Sequence, residues 1–274
     1  MERVRMSETH GESLGSIILH HVTNDLNHKF LNLHLFGYDI SITKHVIMLW
    51  IAAAITVSLA IYGTRRYRKN ENAEPKGLSH LYEILINFIR NDIVIPNIGS
   101  SHCQFWTPLI TTYFIFILTC NFLGLIPLFD LVPGGSSTVT GNFNATAGLA
   151  TITFFAIIIA GTMKHGFMGY WKSMIPGGVP GPVLLILIPI EILGMFVRPF
   201  ALTMRLGANM TAGHIGMLAI FALPIILAAA PVGIASILLN TGIYFLEMIV
   251  SFVQAYVFTL LSSVFIGMAI HAEH

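Results

Sequence analysis

From Val183 to Ala230 the chain runs for 48 residues of mostly apolar sequence with no polar turn to divide it. No other feature limits the fold so strongly. As one α-helix this stretch would measure about 70 Å at 1.5 Å per residue, whereas a bilayer's hydrocarbon core is about 30 Å thick. It is therefore either two spans or one long helix lying steeply tilted. The missing polar divider predicts the tilted helix, with Pro189, Pro199 and Pro224 compatible with kinks in either arrangement. Pro231 with Gly233 is the expected reversal, and Ile234 to Ile270 supplies a second long apolar run that ends at the polar HAEH. The expectation is an antiparallel hairpin of long, tilted helices over about 183–230 and 232–270.

The remainder fits the same solvent. Of the 274 residues 55% are hydrophobic and only 10% charged, against about 25% charged in an ordinary soluble domain, so the chain reads as an all-α integral membrane protein. Residues 1–44 are polar and histidine-rich and are expected to form an external arm, with a short amphipathic piece in SLGSIILHHVTNDL and a strand pair in FLNLHLFGYDISIT turning at Gly37. Residues 45–274 form the membrane domain. Its first span, about 45–63, ends in Arg65, Arg66, Arg68 and Lys69, which assign the following loop to the cytoplasm or matrix. Residues 78–98 carry Leu81, Leu85 and Phe88 on one helical face and Glu83, Arg90 and Asn91 elsewhere. That pattern predicts an amphipathic helix lying in the interface or packed against another helix there. The second span, about 105–129, leads into DLVPGGSSTVTGNFNAT, which has no Lys or Arg and is expected to be external. The third, about 147–163, returns to Lys164, Lys172 and the breaker-rich PGGVPGP. About five membrane helices are expected in all, with no internal repeat. No charged start with a short apolar core and cleavage site is seen at the N-terminus, so insertion is expected to rely on the internal apolar segments.

Charge at bilayer depth marks the functional residues. Arg205 lies near the middle of the long apolar run, where an arginine costs roughly 2.5–3.5 kcal/mol on insertion scales, so its default reading is an ion or substrate path. Glu191, Arg198 and Arg205 are spaced seven apart and line one stripe of a helix, with Asn209 one turn further on. His214, nine residues past Arg205, faces the opposite side. In the second long run Asn240, Glu247 and Gln254 are again seven apart, with Ser251 beside them. A carboxylate on one helix and an arginine on its antiparallel neighbour imply a hydrated polar lane, and Glu247 with His214 offers a pair for proton relay. The bland readings are an interfacial anchor for Arg198, an interfacial charge for Glu191, a buried ion pair of Arg205 with Glu247, and a helix-to-helix hydrogen bond for Asn121. Fourteen Lys plus Arg against thirteen Asp plus Glu leave no net charge to attract nucleic acid. Cys103 and Cys120 form no paired motif, the terminal histidines bring no third metal ligand, and no GxxxxGK[ST] phosphate loop occurs. No cofactor or metal is expected.

Two stretches carry a resemblance. RPFALTMRLGANMTAGH (Arg198 to His214) and LEMIVSFVQAYVFTLL (Leu246 to Leu261) resemble the signature stretches of subunit a of the F-type ATP synthase, with weaker similarity at HHVTN, the basic stretch after the first span, and NFLGLIP. The resemblance implies a stator subunit, not an enzyme on its own, that forms two aqueous half-channels against a rotating ring of c subunits. It also implies a partner in the subunit b peripheral stalk and a bacterial inner membrane or mitochondrial inner membrane. By matching position, Arg205 is the arginine facing the ring carboxylate, and His214 and Glu247 are the titratable pair of the external half-channel. Asn121 lines that half-channel, Gln254 and Asn209 are polar neighbours of the arginine, and Glu191 is the carboxylate near the cytoplasmic exit. Many bacterial members hold a carboxylate at the His214 position and a histidine at the Glu247 position. Here the two are exchanged, as in the mitochondrial pattern, which keeps the relay chemistry and leaves the order of acid and base open. The other classes a chain like this admits are an autonomous ion channel or secondary transporter with Arg205 as counter-ion, and a non-conducting membrane scaffold.

Overall fold

A computed structural model describes residues 34–35, 38–39, 44–67, 74, 76–126, 139–173, 181–227 and 230–271. The N-terminal amphipathic piece, the Gly37 turn, Arg68 and Lys69, most of the external loop and most of PGGVPGP lie outside them. The elements are β1 (His34–Leu35), β2 (Tyr38–Asp39), α1 (Lys44–Thr64), α2 (Leu78–Phe88), a π-helical turn (Ile89–Val94), α3 (Ile95–Ile98), α4 (Cys103–Leu125), a 3₁₀ turn (Val139–Gly141), α5 (Phe143–His165), α6 (Phe167–Ser173), α7 (Gly181–Leu227) and α8 (Ala230–Ile270). The strand pair is present as a two-residue antiparallel ladder, His34 opposite Asp39 and Leu35 opposite Tyr38. Five helices, α1, α4, α5, α7 and α8, are long and apolar enough to cross a membrane.

The 48-residue apolar run forms one helix of 47 residues, not two. At Pro224 the carbonyl left without its N–H donor finds another. Pro224 has no N–H to give the Ile220 carbonyl one turn back, and the Ser236 hydroxyl of α8 donates to that carbonyl instead. The reversal falls earlier than Pro231 and Gly233: α7 ends at Leu227 and α8 begins at Ala230. Pro231 sits in the first turn of α8, where its missing N–H would have had no partner anyway.

By its contacts the chain divides into two compact units, one of Met1–Ala52, Cys120–Asn142 and Gly207–Phe252, the other of Ala53–Thr119, Phe143–Leu206 and Val253–His274. In the first, α7 and α8 run antiparallel, since Ile220 meets Ser236 while Gly213 meets Glu247 further from the reversal. The Tyr244 hydroxyl donates to the Leu125 carbonyl at 3.1 Å, tying α8 to the end of α4.

The second unit holds a continuous apolar core that includes Ile93, Ile98, Trp106, Phe114, Ile157, Leu202, Phe258 and Ile266. Of the expected face of the amphipathic segment, Leu85 and Phe88 pack against this core, while Leu81 is exposed with Leu78 and Ile84. Beyond them Ile89, Ile93, Val94 and Ile98 are buried. The π turn widens the helix over Ile89–Val94. It also presents the Ile93 carbonyl to Asn97 Nδ2 at 2.7 Å and to the Ser263 hydroxyl at 3.2 Å. Residues 89–98 therefore pack against α8. Gly267 makes room for them, since a Cβ there would stand 2.0 Å from the Asn97 carbonyl oxygen. At the segment's other end Tyr67 donates to Glu83 Oε2 at 2.7 Å, which holds the phenol's proton above its ordinary range. The short helix α6 was not expected. It folds back on α5 through Gly166, whose φ of 73° suits glycine, and lays the Tyr170 ring 2.2 Å from where a Cβ on Gly161 would be.

Candidate functional site

The expected site residues fall into both units. In the first, Asn121 is fully buried near the end of α4. Its Nδ2 donates to the Ser251 carbonyl at 3.0 Å and its Oδ1 accepts from the Thr140 hydroxyl at 2.6 Å. The 3₁₀ turn that carries Thr140 is held in turn by Thr211 of α7, whose hydroxyl donates to the Gly141 carbonyl at 3.2 Å. Asn121 thus makes the helix-to-helix hydrogen bond of the bland reading. Through it the backbone one turn beyond Glu247 is fixed.

Glu247 is 4% exposed, among the lowest values for any charged group described. It reaches Gly213, next to His214, so closely that a Cβ on that glycine would lie 1.5 Å from its Oε1. Only a residue without a side chain lets the carboxylate sit against the α7 backbone. Glu247 Oε2, the Ser251 hydroxyl and Asn240 Oδ1 are buried with no hydrogen-bond partner. Buried polar atoms are paired in the great majority of cases, and each exception costs about 1–3 kcal/mol. Three such atoms lie along one stripe of α8. His214 is half-buried beside it, and Asn209 is exposed on α7.

The second unit holds the cations. Arg198 meets Glu191 at 3.7 Å, with the side chains 26% and 44% exposed, and its guanidinium lies 5.8 Å from the centre of the Phe265 ring. An ion pair this open to its surroundings contributes about 0–1 kcal/mol, so the interfacial readings of Glu191 and Arg198 are served by one contact. Gln254 is buried on α8. Arg205 is exposed and takes no carboxylate partner among the described residues of its unit. Around it on α7 stand exposed Phe196, Val197, Phe200 and Met204. Only 6% of the α7 membrane window is buried within the chain, against 61% for α4. The helix that carries the central cation therefore turns most of its apolar surface outward.

Sequence spacing marked Glu247, Asn240 and Ser251 for this region, and Asn121 stood out as a polar residue inside a span. It did not mark Gly213, although a glycine inside a helix beside a titratable residue signals a close approach. Thr140 left no signal at all. No group of three or more metal-ligating side chains occurs among the described residues.

These features define a class: a helical protein with, among the described residues, five helices long and apolar enough to cross a membrane, a buried carboxylate, and an exposed guanidinium that takes no carboxylate partner in its unit. The family pattern described as ATP synthase A chain matches residues 46–267, and the chain belongs to that family. It is 42% identical over 240 residues to ATP synthase subunit a of Chloroherpeton thalassium, covering 87% of this chain and 69% of that protein. It is 42% identical over 268 residues to ATP synthase subunit a 2 of Chlorobaculum tepidum, covering 94% and 74%. To ATP synthase subunit a of Anaeromyxobacter dehalogenans it is 38% identical over 282 residues, covering 94% and 71%.

Proposed function

We propose that this chain is the proton-translocating stator subunit of an ATP synthase in a bacterial plasma membrane, forming two aqueous half-channels against the rotating ring of c subunits and anchored by the subunit b stalk. The observation that carries the reading is Arg205, an exposed guanidinium on a helix face that leaves its apolar surface uncovered. A rotor helix with a carboxylate supplies both the apolar cover and the counter-charge.

In this reading the external half-channel runs along Asn121, Asn240, Glu247 and His214, and water satisfies the orphaned atoms of Asn240 and Glu247. Glu247 and His214 hand protons to the rotor carboxylate. Arg205, with Asn209 and Gln254 as polar neighbours, attracts that carboxylate once it is ionised. Its positive charge drives release on one side and blocks direct leakage between the half-channels. Glu191, paired with Arg198, lies at the cytoplasmic exit. Each charge crossing yields about 2.3 kcal/mol per 100 mV, so several crossings must be combined for one ATP, and a rotating ring combines them.

The test is proton-driven ATP synthesis in membrane vesicles carrying Arg205→Ala or Arg205→Lys. Both are expected to abolish synthesis while the complex still assembles, because lysine keeps a charge but loses the planar, always-protonated fork. Normal synthesis in Arg205→Ala overturns the reading.

A further inference from the structure

Away from the polar lane, within the second unit, two grooves adjoin each other and share Pro108 and Thr112 of α4. One, of about 380 Å³, is the more polar of the two and is lined by Tyr82, Ile86, Arg90, Gln104, Thr107 and Thr111, with Thr64 at the end of α1. The other, of about 500 Å³, is apolar and lies between α4 and α5 against Trp106, Leu109, Ile152, Phe155 and Ile159.

The polar groove offers donors. Arg90 is exposed and has no ion pair among the described residues. Thr111 is 4% exposed, and its hydroxyl has no hydrogen-bond partner. Gln104 and Tyr82 add an amide and a phenol, and none of the side chains lining the groove is a carboxylate. Arg65 and Arg66 follow Thr64 directly, adding positive charge at the same end of α1. A guanidinium with hydroxyl and amide donors matches a phosphate oxygen. A basic pocket between membrane helices on the positively flanked side matches a lipid headgroup. The adjoining apolar groove decides between a free and a lipid phosphate, since only a lipid brings an acyl chain to fill it.

We infer that this chain binds one anionic glycerophospholipid, its phosphodiester held at Arg90 and Thr111 and an acyl chain laid along Trp106 and Phe155. The inference is independent of the proton path, because none of these residues has a role there.

Trp106 provides the readout. In the full-length chain with Trp50→Phe and Trp171→Phe, purified in detergent, fluorescence is quenched by titrating phosphatidylglycerol or phosphatidylcholine with dibrominated acyl chains. Phosphatidylglycerol is expected to reach half-maximal quenching at an about fivefold lower fraction, the factor expected from one cation at a membrane surface. Arg90→Gln removes that preference, Arg90→Lys keeps most of it, and inorganic phosphate at millimolar concentration leaves the curve in place. Equal curves for the two lipids, or an unchanged preference in Arg90→Gln, overturn the proposal. Displacement of phosphatidylglycerol by inorganic phosphate overturns it too, assigning the anion site to a soluble ligand. Should Arg90→Gln fail to fold, Thr111→Val takes its place, expected to weaken the phosphatidylglycerol curve and leave the phosphatidylcholine curve unchanged. Equal weakening of both rejects the site.

Discussion

At the scale of single residues, position and chemistry separate two roles in the polar lane. Asn121 is satisfied on both its donor and acceptor sides, by Ser251 and Thr140, whereas Glu247 leaves Oε2 unpaired. The first fastens helices and the second is free to exchange a proton. Glu247→Gln is therefore expected to slow passive proton uptake in vesicles stripped of the catalytic head more than Asn121→Ala does. Equal slowing would make Glu247 a fastener too. Gly213→Ala places a Cβ 1.5 Å from Glu247 Oε1, and a carboxyl at the end of a flexible side chain yields before a helix backbone does. Proton uptake is expected to fall while the subunit accumulates normally; unchanged uptake would detach Gly213 from the path. The charged members of this set were legible in the sequence because ionisable groups at membrane depth are too costly to be incidental. Gly213 and Thr140 were not, because what makes them matter is a neighbour distant along the chain.

At the scale of elements, the long helix continues past Pro224, and a hydroxyl from the facing helix donates to the carbonyl that proline leaves without a donor. Ser236→Ala strands the Ile220 carbonyl, at a cost of about 1 kcal/mol, since polar contacts between membrane helices average somewhat less and an orphaned carbonyl somewhat more. Unfolding in mixed micelles should show that loss, and no loss would mean the carbonyl has another donor. Gly267→Ala meets the Asn97 backbone oxygen at 2.0 Å, a neighbour that cannot swing away. It is expected to destabilise the docking of residues 89–98 on α8 far more than Ser236→Ala destabilises the hairpin, which protease sensitivity of that segment would reveal. The single long helix was legible because an apolar run without a polar turn has nowhere to reverse. The π turn was not, and of the face read as Leu81, Leu85 and Phe88 the last two pack against the core while Leu81 lies outside. The reversal was expected at Pro231, but a proline fits the first turn of a helix as well as it fits a bend.

At the scale of the whole molecule, the distribution of uncovered surface points outward. The α4 window is 61% buried and the α8 window 44%, yet the window on α7, the longest helix, is 6% buried. In the proposed reading, the rotor ring covers the apolar surface around Arg205. The class of protein was legible from hydropathy and from Arg205, while what covers α7 is a property of an assembly. The most direct measurement is therefore a structure of the assembled complex, read for the acidic group nearest the Arg205 guanidinium. A carboxylate from a neighbouring chain is the result predicted here. A carboxylate of this same chain in that place, or lipid alone against the guanidinium, would contradict it.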